Sequence, residues 1–145
     1  MVISKLHNSN VFLDTAPLIY FIEGNSEYQG ILIDLFRLND EKYFQFQTSS
    51  ITLLEVMVKP LREGETEVAR EYKEILTNSR GIEIFDITTA IALKAAEIRA
   101  KYNVRTPDAL QLATAIECKS DFFLTNDLRI KALAEVKIIM ISELE

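Results

Sequence analysis

At 145 residues, with 48% hydrophobic and 26% charged side chains and only four glycines and three prolines, the chain reads as one folded domain over 1–145 with little room for disorder. No apolar run reaches the roughly 18 residues of a membrane span, and "MVISKLHNSN" is too short and polar for a signal peptide, so a cytoplasmic protein without membrane contact is expected. One cysteine, one histidine and a net charge of −6 exclude an internal disulfide, a zinc-type ligand set and a broad basic face for nucleic acid; any metal must be held by oxygen.

The first apolar run, "NVFLD" (10–14), predicts a strand that closes on Asp14. Helical patterns follow in "APLIYFIEG", with Pro17 near its first turn, and in "SEYQGILIDLFRL". These two segments hold more large apolar side chains than one helix face needs. Tyr20, Phe21, Ile33 and Phe36 are therefore expected in the core or in a protein-binding groove.

"YFQFQT" (43–48) predicts the second strand, and "SITLLEVMV" a helix just beyond it that carries Glu55. Pro60 with Gly64 predicts a break before the helix "TEVAREYKEIL", which "NSRG" ends at Gly81. A third strand, "IEIFD" (82–86), leads to the helix "TTAIALKAAEIRAKY". In "VRTPDALQLATA", Thr106 is expected as N-cap and Pro107 as the first helical residue, which puts Asp108 in the first turn. "DFFLT" (121–125) and "VKIIMI" (136–141) complete five strands, with a short helix, "LRIKALAE", between them. Strand and helix alternate, so a mainly parallel sheet covered on both faces is expected.

That topology gathers four acids. Asp14 and Asp127 follow strands whose C-terminal ends share one sheet edge, the edge where open α/β proteins bind ligands. Glu55 lies within two turns of that edge, and Asp108 begins a helix that runs antiparallel to the next strand. Each acid also has a purely structural use. Asp108 can complement a helix dipole for about 0.3–1 kcal/mol, Asp14 and Asp127 can cap helices, and Glu55 can pair with Lys59 for about 0.2–0.5 kcal/mol. Glu55 fits that use least, because apolar and threonine neighbours surround it in sequence. Together, four carboxylates at one edge repel unless a cation or proton intervenes, and apart from Arg105 at the start of the third no lysine or arginine lies inside their motifs. Hard divalent ions, Mg²⁺ or Mn²⁺, suit such ligands, and the chemistry they suggest is phosphodiester hydrolysis.

In order and spacing, "VFLDTAPLIYFIEGN", "SSITLLEVMV", "RTPDALQLATAIE" and "FFLTND" resemble the four acidic motifs of the PIN domain, particularly the VapC-type toxin ribonucleases. The resemblance runs from about residue 10 to residue 141. It implies a PIN-like three-layer α/β/α sandwich with about five strands, and an endoribonuclease that uses Mg²⁺ or Mn²⁺ to leave a 5′-phosphate and a 3′-hydroxyl. Asp14, Glu55, Asp108 and Asp127 match the family's metal-binding acids, Thr125 matches a hydroxyl residue that supports the fourth acid, and Thr15 sits beside the first. Ala16 stands where many relatives carry Asn or Ser. VapC-type members form homodimers and are silenced by a small antitoxin laid across the active-site groove.

Arg105 and Arg129 flank the acids and are candidate RNA contacts; Lys131, Lys59 and Arg62 lie near the same edge. His7 precedes the first strand and is expected on the surface. A receiver domain needs paired acids after the first strand and a lysine after the last, and a haloacid-dehalogenase-type phosphatase needs Asp-x-Asp; "DTA" and "IIMISELE" supply neither. Two alternatives remain: an RNA-processing nuclease outside a toxin-antitoxin pair, and a non-catalytic PIN-like binding module.

Overall fold

The computed structural model describes residues 3–130, 133 and 135–144. Five parallel strands, β1 (Asn10–Leu13), β2 (Gln45–Ser49), β3 (Ile82–Phe85), β4 (Phe122–Thr125) and β5 (Lys137–Met140), form one sheet in the order β3-β2-β1-β4-β5. Register places Leu13 beside Leu124 and Phe12 beside Gln47, so β1 is the central strand. The order reverses there. Strands β2 and β3 extend to one side and β4 and β5 to the other, which opens a crevice at the C-terminal ends of β1 and β4.

Strand alternation divides the core into two layers. Val11, Leu13, Phe46 and Leu124 face helices α1 (Thr15–Glu23), α2 (Gln29–Asp40), α3 (Ser50–Arg62) and α4 (Thr66–Asn78). Phe12 and Phe123 face the other way, their rings stacked 5.1 Å apart, against α5 (Thr89–Lys101) and α6 (Thr106–Glu117). The expected three-layer α/β/α sandwich is the fold. Within the first layer Phe36 is buried, and half-buried Phe21 stacks on it at 3.9 Å; Tyr20 is half-buried too, while Ile33 is 49% exposed.

Local chemistry sets the helix starts that matter for the crevice. Ser49 is extended and its hydroxyl accepts the Ile51 N–H (3.1 Å), launching α3 directly from the end of β2. Pro17 lies in the first turn of α1, where its missing N–H leaves no helical bond unmade. The N-cap of α6 is Arg105, not Thr106: the Ala109 N–H already bonds the Arg105 carbonyl (2.9 Å), which moves Pro107 to the second helical position.

Three further expectations change. α3 continues through Pro60 to Arg62, and the break falls at Gly64, whose φ of +70° suits glycine. α4 ends at Asn78, before Gly81. The expected helix over 128–135 includes residues 131, 132 and 134, which lie outside the described residues; Leu128 and Arg129 form a turn and Leu133 bridges Val136. Among the described residues no helix is long and apolar enough to cross a membrane.

Gly81 leaves space instead of turning the chain. A Cβ there would lie 2.0 Å from Asn39 Oδ1. Asn39 is buried, and its amide donates to the carbonyls of Gly81 (2.8 Å) and Phe44 (3.2 Å), tying α2 to the start of β2 and β3. Gly81→Ala should therefore displace Asn39 and destabilise the fold by about 1–3 kcal/mol in urea unfolding, the range for stranding a buried polar group. The double variant with Asn39→Ala should fall short of the sum of the two single losses, because both act through one contact.

Candidate active site

The crevice at the sheet reversal is built around Asp14. β1 ends at Leu13, and the Asp14 N–H continues the ladder to the Leu124 carbonyl (3.0 Å), which places its side chain over the gap between β1 and β4. Asp14 is only 9% exposed, yet it caps nothing with its side chain. Instead Thr125, the last residue of β4, donates its hydroxyl to Asp14 Oδ2 (2.7 Å), and the Gln111 amide approaches Oδ1 (3.4 Å). Burial raises the Asp14 pKa above the usual carboxylate range; the Thr125 hydroxyl and the Thr15 backbone N–H pull it back, and the charges of Asp108 and Glu55 raise it further.

The other three acids reach the same crevice with their carboxylates already engaged. Glu55 accepts the Thr15 hydroxyl (2.6 Å) rather than a bond from Lys59. Its apolar neighbours do not enclose it: Leu54, Val58 and Leu61, on one stripe of α3, are 60%, 42% and 63% exposed. Asp108 pairs with Arg105 (3.4 Å). Asp127 is gripped by Arg129 through Nε (3.0 Å), Nη2 (2.9 Å) and the backbone N–H (2.9 Å), while its own N–H binds the Thr125 hydroxyl (3.0 Å). Arg129 holds the Asp127 carboxyl below the usual range.

The scarcity of cations inside the motifs therefore misleads. Arg105 opens the third motif and Arg129 follows the fourth, and each pairs with an acid, Asp108 and Asp127. Among the described residues, no group of three His, Cys, Asp or Glu side chains is drawn together tightly enough to hold an ion as it stands.

Beside these pairs lies a hollow of about 360 Å³ lined by Asn103, Val104, Arg105, Asp108, Leu128 and Arg129. A larger hollow, about 680 Å³, is at the opposite, N-terminal edge of the sheet, where Asn10, Gln45 and Gly81 line it. His7 is exposed at that far edge against Tyr43, and Cys118 caps the far end of α6, so neither can serve the acids as nucleophile or base. Lys131 lies outside the described residues.

Beneath the acids is a buried polar layer that periodicity does not predict. Ser49, Thr48, Thr52, Gln111 and Thr125 are all buried, and Gln111 interrupts the apolar face of α6 one turn after Asp108. Besides Thr125, which the motif resemblance singles out, that interruption is the trace the layer leaves in the sequence.

A PIN domain family model matches residues 11–136. The chain belongs to the PIN domain family. Its PIN fold superposes on solved structures of low identity. One is VapBC2 from Rickettsia felis bound to a promoter DNA fragment (TM-score 0.72, 18% identity, 90% of this chain and 98% of that one). A second is a toxin-antitoxin complex from Klebsiella pneumoniae (0.69, 22%, 90% and 97%). A third is VapC20 from Mycobacterium tuberculosis, a toxin described as cleaving the sarcin-ricin loop (0.68, 19%, 88% and 97%). No curated protein matches the sequence.

The two perturbed acids give the PIN domain opposite pH linkages. Asp14, with its folded pKa raised, contributes stability that is fully present below the unfolded pKa and lost as pH rises through the folded value. Asp127, with its folded pKa lowered, contributes above the unfolded pKa and loses that contribution as pH falls through the folded value. Above the unfolded carboxylate pKa, Asp14 thus costs the fold stability. Asp14→Asn should raise the melting temperature of metal-free protein at pH 7, with the gain shrinking as pH falls into the carboxylate range; a lowered melting temperature at pH 7 would contradict this account.

Proposed function

We propose that the chain is a Mg²⁺- or Mn²⁺-dependent endoribonuclease and the toxin of a toxin-antitoxin pair, with Asp14, Glu55, Asp108 and Asp127 as its metal-binding acids. The observation that carries the reading is the nine-tenths-buried Asp14 carboxylate at the sheet reversal, pushed toward protonation by burial and by Asp108 and Glu55. The donor set is entirely oxygen, which suits a hard divalent ion and no thiophilic one.

Asp14, Asp108 and Glu55 would hold the ion most directly, and Asp127 would contribute once freed from Arg129. When bound, such an ion supplies a water of lowered pKa and positive charge for the phosphodiester oxygens. Thr125 and Thr15 keep the Asp14 and Glu55 carboxylates oriented. Arg105 and Arg129, on the rim of the 360 Å³ hollow, offer guanidinium groups to RNA phosphates. Their present pairing with Asp108 and Asp127 makes each arginine available to phosphate when a cation takes its place on the acid.

Structural neighbours crystallised as toxin-antitoxin complexes support the toxin assignment and a small antitoxin partner. The exposed row Leu54, Val58 and Leu61 beside Glu55 gives that partner apolar surface next to the acids. A homodimer and a cytoplasmic location complete the proposal.

With structured RNA and Mn²⁺, Asp14→Asn and Asp108→Asn should each lower cleavage at least about 100-fold, the upper end of what losing a mere supporting partner of a ligand costs. Asp127→Asn should cost less. Wild-type melting temperature should rise with millimolar Mg²⁺ or Mn²⁺ and that of Asp14→Asn should not, since the ion favours the folded acids alone. Cleavage surviving both Asn substitutions, or a wild-type melting temperature indifferent to both ions, would refute the reading.

A further inference from the structure

The buried layer under the acids has a direction set by counting hydrogens. Thr48 and Thr52 hydroxyls stand 2.9 Å apart, and Thr48 also lies 2.8 Å from the Leu13 carbonyl. A hydroxyl carries one hydrogen. With the Thr48 hydrogen on the Leu13 carbonyl, which can only accept, Thr52 must provide the hydrogen between the two hydroxyls. Thr52 can then only accept from Gln111, so the side-chain atom 2.6 Å from it is the Gln111 amide nitrogen. On the other side, the Ser49 hydroxyl accepts the Ile51 N–H (3.1 Å) and donates to the Gln111 carbonyl oxygen.

Both ends of the amide are thereby oriented, and its second N–H faces Asp14 Oδ1 at 3.4 Å. A contact of that length is common in unloaded sites, where functional hydrogen bonds tighten on binding. Gln111 is 2% exposed, and every buried side-chain N or O among the described residues has a partner.

We propose that Gln111 is the positioning residue of the acidic site: it clamps Asp14 Oδ1 while Thr125 clamps Oδ2, so that the carboxylate meets a divalent cation already oriented. Because Gln111 lies three residues after Asp108, helix α6 carries one acid and the clamp of another, and it sets their relative placement through a single rigid turn. Ser49 and Thr52, at the start of α3, tie the same clamp to the helix that bears Glu55. The proposal rests on Asp14 being a metal-binding acid.

The test is Mn²⁺ affinity of the full chain, read from free Mn²⁺ by electron paramagnetic resonance, with folding checked by circular dichroism. Gln111→Met keeps the volume and removes the clamp; its Mn²⁺ affinity should fall about tenfold, as for other residues that orient a metal ligand. Thr52→Val, which frees the amide to turn, should weaken binding in the same direction by a smaller factor and serves if Gln111→Met does not fold. Gln47 supplies the structural control. It too is buried and bonded, to Ser120 (2.6 Å) and the Cys118 carbonyl (3.3 Å), away from the acids. Gln47→Met should melt lower yet bind Mn²⁺ like wild type. Wild-type affinity in Gln111→Met, or in Thr52→Val where the former is unfolded, overturns the clamp while loss of binding in Asp14→Asn upholds the metal site. Wild-type affinity in Asp14→Asn itself overturns the metal site, and the clamp with it.

Discussion

A carboxylate taken out of water must be met by donors, by a cation or by a proton, and Asp14 is held where that demand cannot be avoided. Its backbone is fixed by the parallel ladder between β1 and β4, and its side chain is nine-tenths buried at the reversal of the sheet. Thr125 from β4, Gln111 from α6 and the Thr15 N–H from α1 answer part of the demand. They do not answer all of it, because burial and two neighbouring acids still raise its pKa. What they leave unanswered falls to a proton or, in the function proposed above, to a cation.

The surrounding electrostatics follow from the same point. Farther out, where water screens, Asp108 and Asp127 are matched by Arg105 and Arg129, pairs that are worth little as surface salt bridges but keep the rim neutral. The net charge of −6 therefore says little about the crevice. Two guanidinium groups stand beside the acids although the chain as a whole is acidic.

Much of this was legible in the chain. All five strands lie where short β-branched and aromatic runs predict them, because such residues suit strands packed between two helix layers, even where Gln47 or Glu83 interrupts the run. Asp14 and Asp127 were conspicuous for the opposite reason, as charges just past the ends of such runs, Glu55 as a charge inside an apolar helix and Asp108 as one at a helix start. Helix ends were read less well. Pro60 reads as a breaker, yet helix α3 accommodates it and stops at Gly64, where the backbone turns left-handed. Gly81 reads as a helix stop, yet it clears room for Asn39, a partner 42 residues away.

By itself the sequence determined the layer architecture, the strand positions and which carboxylates stand near one sheet edge, since hydrophobic period and element order are local properties. Only the tertiary structure decided what each carboxylate touches. Thr15 bonding Glu55 across 40 residues, and Thr125 and Gln111 meeting on Asp14 across about a hundred, depend on rotamers and strand order, whereas the arginines on Asp108 and Asp127 are local pairs whose closure is a matter of rotamer alone. A hydrogen bond is satisfied within about 3 Å in space, and for residues 40 or a hundred apart nothing in their spacing along the chain encodes that distance.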